Sequence, residues 1–99
     1  MRVWMVRAKV KADQVEAIEA AGQRIFEALE REQLQGIRYA VCRLPDGVTY
    51  INLLELDDGV DNPLLGLPEG QAFQEGRKAW MAEPPTSEQL TVIGSYRFF

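Results

Sequence analysis

The stretch from Gly36 to Asp57 constrains the fold most, because two alternating segments flank a turn signal within it. The turn signal is Asp46-Gly47, a dipeptide that accepts the positive φ angles of a tight hairpin. A two-residue loop at this point sets these cross-strand pairs: Pro45 with Val48, Arg43 with Tyr50, Val41 with Asn52, Tyr39 with Leu54, and Arg38 with Glu55. The sequence therefore predicts a β-hairpin. A three-residue loop, Pro45-Asp46-Gly47, would re-pair the two faces, and the sequence leaves both loops open.

The two faces of this hairpin differ in chemistry. One is small and purely apolar, which favours close packing of helices: Ala40, Cys42, Leu44, Ile51 and Leu53. The other mixes aromatic rings with an amide, which favours a cavity: Tyr39, Val41, Tyr50, Asn52 and Leu54, with Arg43 near the turn. We therefore expect the helices to cover the small face and Cys42 to be an inert buried thiol.

The residues before the hairpin predict a strand and a long helix. Residues 2–11 alternate, with Trp4, Val6, Ala8 and Val10 on one face and Val3, Met5, Arg7, Lys9 and Lys11 on the other. Asp13 and Glu16 have the spacing of a capping box, and an amphipathic helix of about six turns follows them and ends near Gly36. Its apolar stripe is Val15, Ile18, Gly22, Ile25, Phe26 and Leu29. Gly22 lies in the middle of this stripe and costs about 1 kcal/mol relative to alanine, which is tolerable if the backbone needs to approach the sheet there.

The residues after the hairpin predict a loop, a second helix and a last strand. Residues 58–66 are rich in Gly, Pro, Asp and Asn, which is typical of a loop. A helix then begins at Pro68 and continues to Ala82, before the pair Pro84-Pro85. Its apolar side is Ala72, Phe73, Gly76, Ala79 and Trp80. Residues 88–98 predict the final strand, with an aromatic tail of Tyr96, Phe98 and Phe99.

The order β-α-β-β-α-β is that of a ferredoxin-like α+β fold, and it accounts for residues 1–99 as one domain. Both helices then cover one face of a four-stranded antiparallel sheet, which leaves the second face bare. We expect the bare face to carry Met5, Tyr39, Val41, Tyr50 and Leu54, and a patch of that size needs a cover. The same face of a second subunit would provide it. We therefore expect a homodimer whose two sheets face each other around a cavity.

Composition excludes several classes of function. The 99 residues have a net charge of −4 and no basic run, which argues against nucleic acid as a partner. The N-terminal apolar stretch is too short for a signal peptide, and no stretch approaches the roughly 20 apolar residues of a membrane span. The single cysteine forms no intramolecular disulfide, which favours the cytoplasm. The chain has no histidine, and so lacks the commonest general base and the commonest ligand of zinc and haem. We therefore expect neither a metal nor an organic cofactor.

The sequence resembles a known family, the dimeric α+β barrel proteins grouped with the antibiotic biosynthesis monooxygenases. The resemblance covers nearly the whole chain, and rests on the strand Val3–Val10, the helix from Asp13, the hairpin and the aromatic helix that ends in Trp80. Members include cofactor-free oxygenases that act on polycyclic phenols, haem-degrading enzymes and isomerases. Haem-degrading members use a histidine, which is missing here. The resemblance thus implies a cofactor-independent oxygenase of an aromatic or acidic small molecule. The alternative is a non-catalytic homodimer that binds a ligand or another protein.

The resemblance also implies site residues. By position, Asn52 and Trp80 are similar to the amide and the helix tryptophan with which some of these oxygenases hold an enolate and polarise dioxygen. The full prediction is this: Asn52, Tyr50, Arg7 and Trp80 are catalytic, and Tyr39 and Met5 bind substrate. Each has a structural interpretation as well: Trp80 as core packing, Asn52 as a partner of a backbone group, the tyrosines as interface aromatics, and Arg7 as a salt-bridge partner at the rim. No carboxylate lies on the predicted cavity face, so no strong general base is evident.

Overall fold

The computed structural model of the chain describes residues 2–98, which form one four-stranded sheet and two α-helices. The elements are β1 (Arg2–Lys9), α1 (Val15–Glu32), β2 (Ile37–Arg43), β3 (Thr49–Leu56), α2 (Pro68–Trp80) and β4 (Thr86–Leu90). The strands lie in the order β2-β3-β1-β4, and every neighbouring pair is antiparallel. The predicted ferredoxin-like fold is confirmed. Among the described residues, no helix is both long and apolar enough to cross a membrane.

The hairpin has the predicted register but a longer turn. Arg43 pairs with Tyr50 and Val41 with Asn52, as expected. The N–H of Leu44 donates to the Thr49 carbonyl at 2.8 Å, so residues 45–48 form a four-residue loop in place of a two-residue one. The Asp46 carboxylate organises this loop, because it accepts hydrogen bonds from the N–H of Val48 at 3.0 Å and from the N–H and hydroxyl of Thr49 at 2.8 and 2.6 Å. A longer loop preserves the register here because residues are added equally on both sides of the turn.

The prediction for the two faces of the sheet is wrong, because the helices cover the mixed aromatic face. The ring of Phe26 on α1 stacks on Tyr39 of β2 with centroids 5.4 Å apart. The Tyr50 hydroxyl on β3 donates to Glu19 on α1. Aromatic side chains bury about 150–250 Å² each, so this packing removes more apolar surface from water than packing on small side chains would. The opposite face, called the open face below, consists of Met5, Arg7, Ala40, Cys42, Ile51 and Leu53. On it Cys42 is exposed, so its predicted burial is also wrong.

Helix α1 begins and ends differently from the prediction. A 3-10 turn at Ala12–Gln14 precedes it, and its N-cap is Gln14, which makes no side-chain capping hydrogen bond. The capping box of Asp13 and Glu16 therefore does not form. The helix ends at Glu32, and its C-cap residue Gln33 adopts the left-handed conformation with φ 48°. Its 18 residues make about five turns.

Helix α2 begins at Pro68 as predicted, and the last strand is shorter than predicted. β4 ends at Leu90, which pairs with Val3. Among the described residues β1 extends only one residue beyond Val3, so it offers little further edge with which residues 91–98 could pair. In this tail Ile93, Tyr96 and Phe98 are largely exposed. Phe99 lies outside the described residues.

Candidate functional site

A cavity of about 520 Å³ lies between the sheet and the two helices. From the sheet, Val6, Tyr39, Val41, Tyr50, Asn52 and Leu54 line it. From the helices, Glu19, Gly22, Gln23, Phe26, Phe73 and Arg77 line it. The volume falls in the range of about 300–1,000 Å³ that is usual for small-molecule sites. The lining combines four aromatic rings with seven polar or charged residues, so it suits a flat molecule that also carries hydrogen-bonding groups. The polar and charged residues are Glu19, Gln23, Arg43, Asn52, Asn62, Gln74 and Arg77.

Asn52 provides a polar group without a partner in this cavity. It lies on β3 opposite Val6 of β1 and Val41 of β2, so apolar side chains flank it on both sides. Its side-chain oxygen is buried and, within the part of the chain that the structure describes, accepts no hydrogen bond. A buried acceptor left unpaired costs about 1–3 kcal/mol. A bound molecule with an O–H or N–H group could donate to this oxygen and recover that free energy.

Tyr50, Glu19 and Arg43 form a hydrogen-bonded group at the edge of the cavity. One oxygen of the Glu19 carboxylate accepts from the Tyr50 hydroxyl at 2.5 Å and from the Arg43 guanidinium at 2.7 Å. Burial, followed by the hydrogen bond to Glu19, raises the pKa of Tyr50 to about 12. The hydrogen bond from Tyr50, followed by that from Arg43, lowers the pKa of the Glu19 carboxyl. At neutral pH the group therefore contains a neutral phenol, a carboxylate and a guanidinium.

Tyr39 forms an apolar wall of the cavity. Its ring stacks on Phe26, and burial raises the pKa of its hydroxyl. The rings of Tyr39 and Phe26 therefore present aromatic surface, and the phenol of Tyr39 stays neutral at physiological pH. At the α2 side, Arg77 donates to Gln74 at 2.6 Å, and both residues line the cavity.

The structure brings together three of the six predicted site residues. Tyr39, Tyr50 and Asn52 line the cavity. Arg7 and Met5 lie on the open face, because β1 alternates and these two residues pair with Ile51 and Leu53. The two side chains therefore point away from the cavity that was predicted to contain them.

Trp80 also lies outside the cavity lining. Its ring packs against the core cluster of Val10, Ile18 and Tyr50 and makes an edge-on contact with Phe73 at 5.5 Å between centroids. This is the core-packing interpretation that the sequence left open.

Glu19, an acid that lines the cavity, was not predicted as a site residue, because one side of α1 was interpreted as a single apolar stripe. The buried side is Ile18, Ala21, Ile25 and Ala28. A second face beside it contains Glu19, Gly22, Gln23 and Phe26, all of which line the cavity. Their spacing of three and four residues places them on one side of a helix. A polar residue and a glycine within such a face were the available signal.

The chemistry of the site is that of an apolar pocket with a few hydrogen-bonding groups. Among residues 2–98, no group of three or more Cys, Asp or Glu side chains is placed to hold a metal ion. The arrangement can stack on an aromatic ring, accept a hydrogen bond from its hydroxyl at Asn52, and accept a proton at Glu19. The fold and this site define an α+β protein with a cavity between its sheet and its helices.

Solved structures share this fold. A protein from Nitrosomonas europaea, provisionally described as an antibiotic biosynthesis monooxygenase, has a TM-score of 0.79 and 23% identity, over 95% of this chain and 100% of that one. Rv0793 from Mycobacterium tuberculosis has a TM-score of 0.76 and 14% identity, over 95% and 96% of the two chains. A mutant of SnoaB, a cofactor-independent oxygenase from Streptomyces nogalater, has a TM-score of 0.71 and 15% identity, over 97% and 96%.

The sequence itself matches no family model and no curated protein. The chain thus has the fold of the antibiotic biosynthesis monooxygenase structures, as the resemblance implied.

Proposed function

We propose that this protein is a cofactor-independent oxygenase that acts on a hydroxylated aromatic small molecule bound in the cavity between sheet and helices. The observation that carries the proposal is the buried, unpartnered oxygen of Asn52 within an aromatic-lined cavity of about 520 Å³. Fold similarity to SnoaB, which is described as a cofactor-independent oxygenase, supports the reaction class by analogy.

The proposed reaction uses the electrons of the substrate itself. An anthrone-type substrate loses an acidic proton to become an enolate, which transfers electrons to dioxygen. One oxygen atom then forms the new carbonyl and the other leaves as water, so that anthrone and dioxygen give anthraquinone and water. The side-chain oxygen of Asn52 would accept a hydrogen bond from a hydroxyl of the substrate. The NH2 group of the same amide would donate to the enolate oxygen, and one such preorganised donor can contribute about 3–4 kcal/mol in a dry site.

Glu19 is the proposed destination of the proton. Tyr50 already donates to its carboxylate, so a substrate proton passed to the Tyr50 oxygen would be matched by transfer of the Tyr50 proton to Glu19. The lowered pKa of Glu19 makes it a weak base. The substrate must therefore be acidic, as an anthrone is when its enolate is delocalised over fused rings. Arg7, Met5 and Trp80 have no part in this scheme, because none of them lines the cavity.

We propose that the working unit is a homodimer in which two open faces pack together. The apolar side chains of the open face, Met5, Ile51 and Leu53, lie on the side of the sheet away from the helices. The exposed aromatic residues of the tail, Tyr96 and Phe98, are further surface that a second copy would cover. Such an interface would bury on the order of 2,000 Å², and light scattering at micromolar concentration should give twice the 11.2 kDa mass of the chain. A stable monomer at that concentration would contradict the proposal.

Oxygen consumption with anthrone tests the proposed reaction. Wild type should consume oxygen, and Asn52→Ala should lower kcat by about 100-fold or more. Glu19→Gln should also slow the reaction. Glu27→Gln is the matched control, since it makes the same change on the exposed side of the same helix. If wild type consumes no oxygen above the rate of the buffer, the proposal fails.

The second candidate function is ligand binding without catalysis. It is favoured by the site's lack of a strong base, because Glu19 is a carboxylate of lowered pKa and Tyr50 remains protonated up to about pH 12. In that case wild type would bind hydroxylated aromatic molecules and would not consume oxygen with them. Asn52→Ala would then lower only the binding affinity.

A further inference from the structure

Gly22 occupies the middle of α1 without any packing reason for a glycine. A Cβ atom at this position would meet no heavy atom within 4 Å. The two glycines of α2 differ in this respect. A Cβ at Gly70 would lie 2.1 Å from the carbonyl oxygen of Leu64, and a Cβ at Gly76 would lie 2.4 Å from the ring of Trp80.

The absence of a side chain at Gly22 weakens the helix. Its φ is not positive, so the backbone conformation does not require glycine either. Glycine in a helix interior is about 1 kcal/mol less favourable than alanine. Neither packing nor backbone geometry accounts for this cost.

The open space beside Gly22 belongs to the cavity. Gly22 lines it together with Glu19, one turn before, and Phe26, one turn after. Tyr50 and Asn52 line the same cavity from the sheet. A side chain at position 22 would therefore project into the volume where the proposed substrate binds.

We propose that Gly22 is the specificity-determining position of this site, where the missing side chain leaves room for a larger fused-ring molecule and a larger residue would restrict the site to smaller molecules. The inference rests on the proposed function in one respect, namely that this cavity is the binding site. It adds the size class of the substrate and the residue that sets it.

Binding of a homologous series of probes tests the inference. The probes are phenol, 2-naphthol and 2-hydroxyanthracene, which present the same hydroxyl on one, two and three rings. Equilibrium dialysis or calorimetry gives their affinities for wild type, Gly22→Ala and Gly22→Leu. Ala20→Leu is the matched control, because it adds the same side chain to an exposed position of the same helix outside the cavity lining.

The expected result is a loss that grows with the number of rings. A small change in pocket size discriminates ligands by about 10–200-fold. Gly22→Leu should therefore lower the affinity for 2-hydroxyanthracene at least ten times more than it lowers the affinity for phenol. Gly22→Ala should show a smaller effect in the same direction, and it keeps the test valid should Gly22→Leu fold poorly. Ala20→Leu should leave all affinities unchanged.

The outcomes separate this inference from the proposed function. The test applies to a Gly22 variant that unfolds cooperatively with a Tm at or above that of wild type. If such a variant binds all three probes as wild type does, or loses affinity for all three by the same factor, Gly22 does not set specificity, whatever the oxygen assay shows. If Gly22→Leu rejects the three-ring probe while wild type consumes no oxygen, the inference stands and the oxygenase proposal fails. If wild type binds none of the probes, both are overturned.

Discussion

Replacing glycine by alanine at Gly22 and at Gly70 should change the free energy of unfolding in opposite directions. Gly22→Ala replaces a helix-interior glycine where a Cβ meets no atom within 4 Å. It should therefore raise the free energy of unfolding by about 1 kcal/mol, the difference in helix propensity. For a domain of this size 1 kcal/mol corresponds to an increase in Tm of about 4–8 °C.

Gly70→Ala has the opposite environment. Its Cβ would lie 2.1 Å from the backbone oxygen of Leu64, and backbone cannot move aside as a flexible side chain can. Overpacking of this kind costs about 1–3 kcal/mol. Gly70→Ala should therefore lower the free energy of unfolding and the Tm.

Thermal and urea unfolding of both variants provide the assay. Protein concentration must be equal in all samples, because the Tm of the proposed dimer would depend on it. A destabilised Gly22→Ala would refute the reasoning, since it would mean that the space beside Gly22 is not open in solution. A Gly70→Ala protein as stable as wild type would refute the packing argument for α2.

Three further predictions concern charge and assembly. Glu19→Gln should lower the pKa of Tyr50 from about 12, since the carboxylate is one of the causes that raise it; ultraviolet titration of the tyrosines measures this, and an unchanged titration would contradict the hydrogen bond. The pKa of Asp46 is lowered, first by the hydroxyl of Thr49 and then by the backbone N–H groups of Val48 and Thr49. The contribution of Asp46 to stability is therefore present at neutral pH and is lost as the pH falls below the ordinary value of 3.8. Asp46→Asn should therefore flatten the acid side of the Tm-against-pH curve, and an equal loss of Tm between pH 7 and 3 in both proteins would be evidence against that role. Leu53→Glu places a charge on the open face, so light scattering should show that the proposed dimer dissociates to a monomer. If the variant has the dimer mass at the same concentration as wild type, that face is not the interface.

The sequence predicts most of the fold because its strong signals are local. Alternation around Asp46-Gly47 determines the hairpin register, and Pro68 marks the start of α2. The end of β4 could not be predicted in this way. It depends on where β1 begins, which is a property of the partner strand and not of residues 91–98.

The sequence also could not decide which face of the sheet the helices cover. Both faces of the hairpin are apolar enough to be buried, and the choice depends on how side chains from different elements fit together. Phe26 stacking on Tyr39 is one such fit, and Glu19 bonding to Tyr50 is another. Because the predicted face was the wrong one, Arg7 and Met5 were assigned to the cavity. Tyr39, Tyr50 and Asn52 were correctly grouped because alternation along two paired strands is sufficient to place them on one face.

Chemical-shift mapping with 2-hydroxyanthracene tests most directly that the cavity between sheet and helices is the ligand site. In a ¹H–¹⁵N spectrum of labelled protein, we predict that the ligand shifts the signals of the Asn52 side-chain amide and of the Glu19 and Gly22 backbone amides. The amide signals of the exposed tail, such as that of Ile93, should keep their chemical shifts. In Asn52→Ala the ligand should cause a smaller shift of the Gly22 signal. Shifts confined to Ala40, Cys42 and Leu53 would place the ligand on the open face and contradict the account.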